Sequence, residues 1–113
     1  MELIYIAGKY RGDTIREIVE NIQEAEKVAV KYWKLGYAVI CPHKNTELFD
    51  GIVDLQVFLD GDLEMVRRCD TIVMMSNYKD SKGALGELAL AQELNKKIIY
   101  EEGDFKSKPL TKK

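Results

Sequence analysis

The residues best placed to do chemistry are spread along the chain, and the most informative of them is a glutamate in its second half. Glu87 lies beside the apolar stripe Ala84, Leu88, Ala91 and Leu94, one turn after Ala84 and four residues before Ala91. A carboxylate there sits near the start of a helix. Burying its charge costs several kcal/mol unless it is paired, so such a residue has partners or a task. The alternative is a solvated glutamate favoured by the helix dipole. Gly83 and Gly86 flank the same turn and leave room for a ligand to approach the backbone. With Ser81 and Lys82 they can form an anion seat at a helix N-terminus, or an ordinary loop into a helix. Asp62 falls in Gly61-Asp62-Leu63-Glu64, where alternating acids otherwise read as a solvated face. Tyr5 lies near the end of a strand-like run, where a tyrosine packs in the core and gives its hydroxyl one partner. Tyr10 and Arg11 follow in the next loop and suit a base and a phosphate. His43 is the single histidine. It follows another strand-like run and is either structural or part of a site.

The elements that must position these residues alternate in type. Leu3–Ala7 reads as a buried strand that ends at Gly8. Thr14-Ile15-Arg16-Glu17 has the form of a capping box, opening a helix from about Ile15 to Leu35. Its apolar positions are Ile15, Ile18, Ile22, Ala25, Ala29 and Tyr32, and Gly36 stops it. Tyr37–Cys41 is a second strand, ended by Pro42, and His43–Val53 reads as irregular. A helix from Asp54 or Leu55 to near Cys69 follows, with a break expected at Gly61. Thr71–Met75 is a strand of the fully buried type. Ser76–Lys82 is a polar loop, Gly83–Asn95 a helix and Lys97–Tyr100 a last strand. Glu101–Lys113 reads as a loose tail.

This alternation predicts one α/β domain over residues 1–113: a flavodoxin/Rossmann-like doubly wound parallel sheet of four to five strands with helices on both faces. In such sheets ligands bind beyond the carboxyl ends of the strands. That rule selects the loops Gly8–Asp13, Pro42–Thr46 and Ser76–Gly83. Asp70 precedes a strand at the opposite end and is expected to be a turn or cap residue.

Composition bounds the function. The chain has 113 residues and a formal charge of −2. That charge argues against a nucleic-acid polymer as partner. A core this small leaves a shallow site, which makes a homodimer the expected assembly. The two cysteines, Cys41 and Cys69, lack metal-ligand spacing and read as buried thiols of a reducing, cytoplasmic compartment. No signal peptide, membrane span, metal site or cofactor motif is expected. Gly8-Lys9-Tyr10-Arg11-Gly12 is not a P-loop, and no dinucleotide fingerprint occurs.

Ile4-Tyr5-Ile6-Ala7-Gly8, Gly61-Asp62-Leu63 through Cys69-Asp70, and Ser81-Lys82-Gly83-Ala84-Leu85-Gly86-Glu87 through Ala91 together resemble the nucleoside 2-deoxyribosyltransferase superfamily. The likeness covers residues 3 to 100 and extends to short phage and bacterial members of unassigned function, through Tyr5–Gly8 and Pro42-His43-Lys44-Asn45-Thr46. The resemblance implies that Glu87 is a nucleophile toward the anomeric carbon, that Tyr5 orients it, and that Asp62 engages substrate and assists departure of the base. Ser81 and Arg11 match positions at which relatives that hydrolyse 2′-deoxynucleoside 5′-monophosphates carry a serine and an arginine. Lys9 stands where those hydrolases carry a serine. The implied substrate-binding set is Gly8, Lys9, Tyr10, Arg11, His43, Ser81 and Gly83, with Tyr10 and His43 walling the base. The implied activity is N-glycosidic cleavage of a nucleotide. Base exchange on nucleosides and a non-catalytic nucleotide-binding module are the alternatives.

Overall fold

A computed structural model describes residues 1–102. Four parallel strands form the sheet: β1 (Leu3–Ala7), β2 (Ala38–Ile40), β3 (Thr71–Met74) and β4 (Lys97–Tyr100), in the order β2-β1-β3-β4. The chain winds outward from β1 to β2, then crosses back past β1 to β3 and β4. The switch point therefore lies between β1 and β3, which pair in the register Tyr5↔Ile72 and Ala7↔Met74.

Side chains alternate across a strand, so β1 serves two cores. Ile4 and Ile6 pack with Ala25, Ala29, Tyr32, Val73 and Met75 under α1 (Ile15–Lys34). Tyr5 and Ala7 face the other way and pack with Val66, Ile72, Met74, Ala84, Leu88 and Ala91, under α3 (Leu55–Arg68) and α4 (Lys82–Glu93).

Local chemistry explains the boundaries. Thr14 Oγ1 accepts from Glu17 N at 3.1 Å, while Glu17 accepts from Asp13 N rather than from Thr14 itself. Gly36 takes φ 96°, as a helix C′ residue does. Ile15, expected in the apolar stripe, is 74% exposed because it opens the first turn outside the sheet contact. Leu94 is likewise exposed, just past the last turn of α4.

Several expectations are corrected. Residues 42–45 are not irregular: Pro42–Asn45 forms a one-turn helix, α2, with proline in its first turn. Gly61 does not break α3, which runs through it. The loop after β3 contains a 3₁₀ turn, Tyr78–Asp80, and α4 begins one residue early at Lys82 and ends at Glu93. Cys69 is buried, whereas Cys41 is only partly so, and both are free thiols. Asp70, expected as a turn or cap residue, instead reaches the neighbouring strand, its Oδ2 accepting from Leu3 N at 2.8 Å. Glu101, expected to begin a loose tail, is tied down: its N–H donates to Met74 O at 2.8 Å and its carboxylate meets Lys31 and Tyr32. Residues 103–113 of that expected tail lie outside the described residues. Among the described residues no helix is long and apolar enough to cross a membrane.

Candidate active site

Glu87 owes its place to helical spacing. Ala84, Glu87, Leu88 and Ala91 share the face of α4 that packs on the sheet. Ser81 fixes the start of that helix, its Oγ accepting from Ala84 N at 3.0 Å. One turn into the helix, Glu87 is therefore carried over the carboxyl end of β1, where it is 8% exposed. Tyr5 rises from the same side of β1 and is fully buried. Its hydroxyl donates to Glu87 Oε2 at 2.6 Å, across 82 residues of sequence. Oε1 has no protein donor among the described residues.

Burial pushes the Glu87 carboxyl up to about 8; the Tyr5 hydrogen bond pulls it down and the charge of Asp62 pushes it up. Asp62, half-buried on α3, is itself raised to about 6 by desolvation. The Tyr5 hydroxyl is raised well above the usual phenol value, first by burial and then by Glu87. Two carboxyls with raised and unequal proton affinities face one space, so their titrations belong to the pair. This arrangement provides an acid and a base in one cleft.

The loop after β1 forms the facing rim. Gly8 is required there by close approach: a Cβ would lie 2.3 Å from Met75 Sδ. Lys9 N donates to Asn77 Oδ1 at 3.0 Å, and Asn21 Nδ2 donates to Tyr10 O at 3.0 Å. His43 Nε2 lies 3.0 Å from Lys9 O. A carbonyl only accepts, so Nε2 carries the proton, and Nδ1 is buried without a partner among the described residues. Burial holds His43 below the ordinary histidine value. At 4% exposure His43 offers a ligand little ring surface, and what it visibly does is fix the Lys9 carbonyl. Pro42 places it in α2 beneath that loop, where it both positions the loop and contributes to the cleft lining.

Across the cleft mouth, Tyr10 Oη donates to Asp50 Oδ1 at 2.6 Å, and Arg11 pairs with Asp50 Oδ2 at 3.2 Å. Tyr10 holds the Asp50 carboxyl below the usual carboxylate value, with Arg11 adding to the effect. The cleft so bounded holds about 1050 Å³. Gly8, Lys9, Tyr10, Arg11, His43, Asp62, Ser81, Gly83 and Glu87 all line it. Of the residues expected in the site, Tyr5 alone is absent from the lining and reaches it only through Glu87. Among the described residues, no three His, Cys, Asp or Glu side chains are grouped to hold a metal ion.

A family model described as "Domain of unknown function (DUF4406)" matches residues 2–100. The chain belongs to that family. No curated protein matches it. Among solved structures it is similar to a 2-desoxiribosyltransferase from Leishmania mexicana, with a TM-score of 0.66 and 19% identity over 92% of this chain. The chain spans 66% of that protein, just under two thirds of its length. It is also similar to a 2-deoxyribosyltransferase from the psychrotolerant bacterium Bacillus psychrosaccharolyticus, with a TM-score of 0.62 and 22% identity, covering 93% of this chain and 77% of that one. This DUF4406 chain therefore has the deoxyribosyltransferase fold.

Asp50 in the cleft lining, and Asn21 and Asn77 behind the rim loop, lay outside the sequence expectations. Asp50 sits in a stretch with no periodicity, and Asn77 and Asn21 act on backbone rather than on ligand. A polar residue just past a strand end, as at Asn77, is the one signal that marks any of them.

Proposed function

We propose that this chain cleaves the base–sugar bond of 2′-deoxynucleoside 5′-monophosphates through a glycosyl ester on Glu87. The observation that carries the reading is the buried Glu87 carboxylate, held by the Tyr5 hydroxyl at 2.6 Å and open to the cleft. A glutamate oxygen bonds to C1′ as the C1′–N bond breaks, and the bonding pair leaves with the base. Glu87 binds the pair's proton more tightly than Asp62, so the reactive form is the one in which that proton sits on Asp62, which gives it to the departing base. Water then attacks C1′, Asp62 takes that water's proton, and Glu87 is released. Positive charge at C1′ in the transition state lies against the carboxylate, so ionised Glu87 is favoured there more than in the ground state.

Lys9, Arg11 and the start of α4 would take the 5′-phosphate. Ser81 Oγ accepts from Ala84 N, which leaves its O–H to donate, and the Lys82 and Gly83 N–H groups open the helix. The chemistry so written uses side chains and water alone. Leu48, Phe49, Ile52 and Val53 are exposed on a strap beside the cleft, which supports a homodimer. The two free thiols fit a cytoplasmic location. A second reading, base exchange by a deoxyribosyltransferase, is favoured by the fold neighbours and by an Arg11 already paired with Asp50.

Free-base release from each deoxynucleoside 5′-monophosphate and each deoxynucleoside, followed by chromatography, tests this. Release from monophosphates alone, abolished in Glu87→Ala, is the expected result. Base exchange on nucleosides would favour the transferase. Affinity without release or exchange would leave a nucleotide-binding module.

A further inference from the structure

Residues 46–54 form a strap between α2 and α3 along one side of the cleft mouth. The strap turns through two left-handed residues, Leu48 at φ 57° and Gly51 at φ 86°. Asp50 stands between them and reaches the opposite rim. Its two oxygens are divided between the Tyr10 hydroxyl and the Arg11 guanidinium. Both partners belong to the loop that follows β1, and Asp50, Tyr10 and Arg11 all line the cleft. Arg11 is the only arginine in the lining among the described residues, and its charge is taken by Asp50.

We propose that Asp50 is the specificity-determining residue of this cleft: its carboxylate occupies Tyr10 and Arg11 as an internal anion, and a substrate's phosphate enters by displacing it. The proposal rests on the nucleotide reading above. A phosphate dianion satisfies the same two donors with stronger, bidentate hydrogen bonds, so the exchange leaves neither donor unpaired. A neutral nucleoside offers Arg11 nothing and leaves the clasp shut. Once displaced, Asp50 is repelled by the phosphate and carries its end of the strap outward. Lys9 and Lys82, which also line the cleft, have no such carboxylate partner among the described residues and attract a phosphate without first giving one up.

The test is binding, measured by calorimetry in a Glu87→Gln background so that turnover does not intervene. The probes are the four deoxynucleoside 5′-monophosphates, the four deoxynucleosides and inorganic phosphate. Asp50→Asn keeps an acceptor for Tyr10 and removes the charge. It should tighten monophosphate binding about tenfold, and the preference for monophosphate over nucleoside should rise by the same factor, as expected for freeing one partly exposed charge and removing one repulsion. Adding Arg11→Ala should erase the gain. Equal or weaker monophosphate binding in Asp50→Asn, a gain that survives loss of Arg11, or no binding to either protein would each overturn the proposal. Failure of the parent reading looks different: no base is released by the wild-type chain, yet binding still depends on Asp50.

Discussion

Replacing Glu87 by glutamine should stabilise the protein at alkaline pH. The wild-type carboxyl is raised from 4.5 to about 8, chiefly by burial. The unfolded chain therefore releases this proton first, near 4.5, and the folded chain holds it until about 8. Wild-type stability accordingly falls as pH rises across that interval and levels off above it. At about 1.4 kcal/mol per tenfold the full difference corresponds to roughly 5 kcal/mol. Relaxation around an ionised carboxylate and its coupling to Asp62 reduce this to about 2–4 kcal/mol. Glutamine keeps the shape and an acceptor for Tyr5 but cannot ionise. Denaturant unfolding of both proteins at pH 5 and pH 8.5 measures the effect. The variant should match the wild type within about 1 kcal/mol at pH 5. At pH 8.5 it should exceed it by about 2–4 kcal/mol, or roughly 10 °C in Tm. A gap that does not widen between the two pH values would refute the assignment of a buried, proton-holding carboxyl.

Two further outcomes follow from the same geometry. Tyr5→Phe removes the donor that holds Glu87 in its ionised form, so the Glu87 limb of the pH–rate profile should move to higher pH and kcat should fall roughly 10–100-fold; an unmoved profile would argue against Tyr5 as a positioning residue. Gly8→Ala places a Cβ against Met75 and should cost about 1–3 kcal/mol in thermal or denaturant unfolding, recovered in part by Met75→Ala.

The main elements were legible in the sequence where periodicity had room to act. The buried runs of β1 and β3 and the twenty-residue stripe of α1 announce themselves, and the spacing of Ala84, Leu88 and Ala91 set Glu87 beside an apolar stripe while leaving a solvated glutamate open. The partnership of Glu87 with Tyr5 was different. No local pattern links residues 82 apart, and it entered through a resemblance of motifs. Gly61 misled because its cost in a helix is small beside the packing of the flanking residues of α3. The single turn at Pro42 is too short for any period to show. Asp50 was invisible for a stronger reason: its meaning lies wholly in a contact 40 residues away, made by a strap with no regular structure.

The loop from Gly8 to Arg11 carries a consequence for binding entropy. Asn21 holds it from α1, His43 from α2 and Asn77 from the turn after β3, all through its backbone. Ordering a residue costs about 1–2 kcal/mol, and for these residues that cost is met when the chain folds. A ligand that docks against this rim therefore keeps nearly the full free energy of each contact it makes there. The strap's backbone–backbone bonds run to near neighbours, Phe49 N to Thr46 O and Ile52 N to Phe49 O, and it reaches the far rim through Asp50, so a contact that displaces Asp50 also bears the cost of shifting the strap. Enthalpy should thus dominate for ligand groups that reach the Lys9 side, and compensation for those that reach the strap.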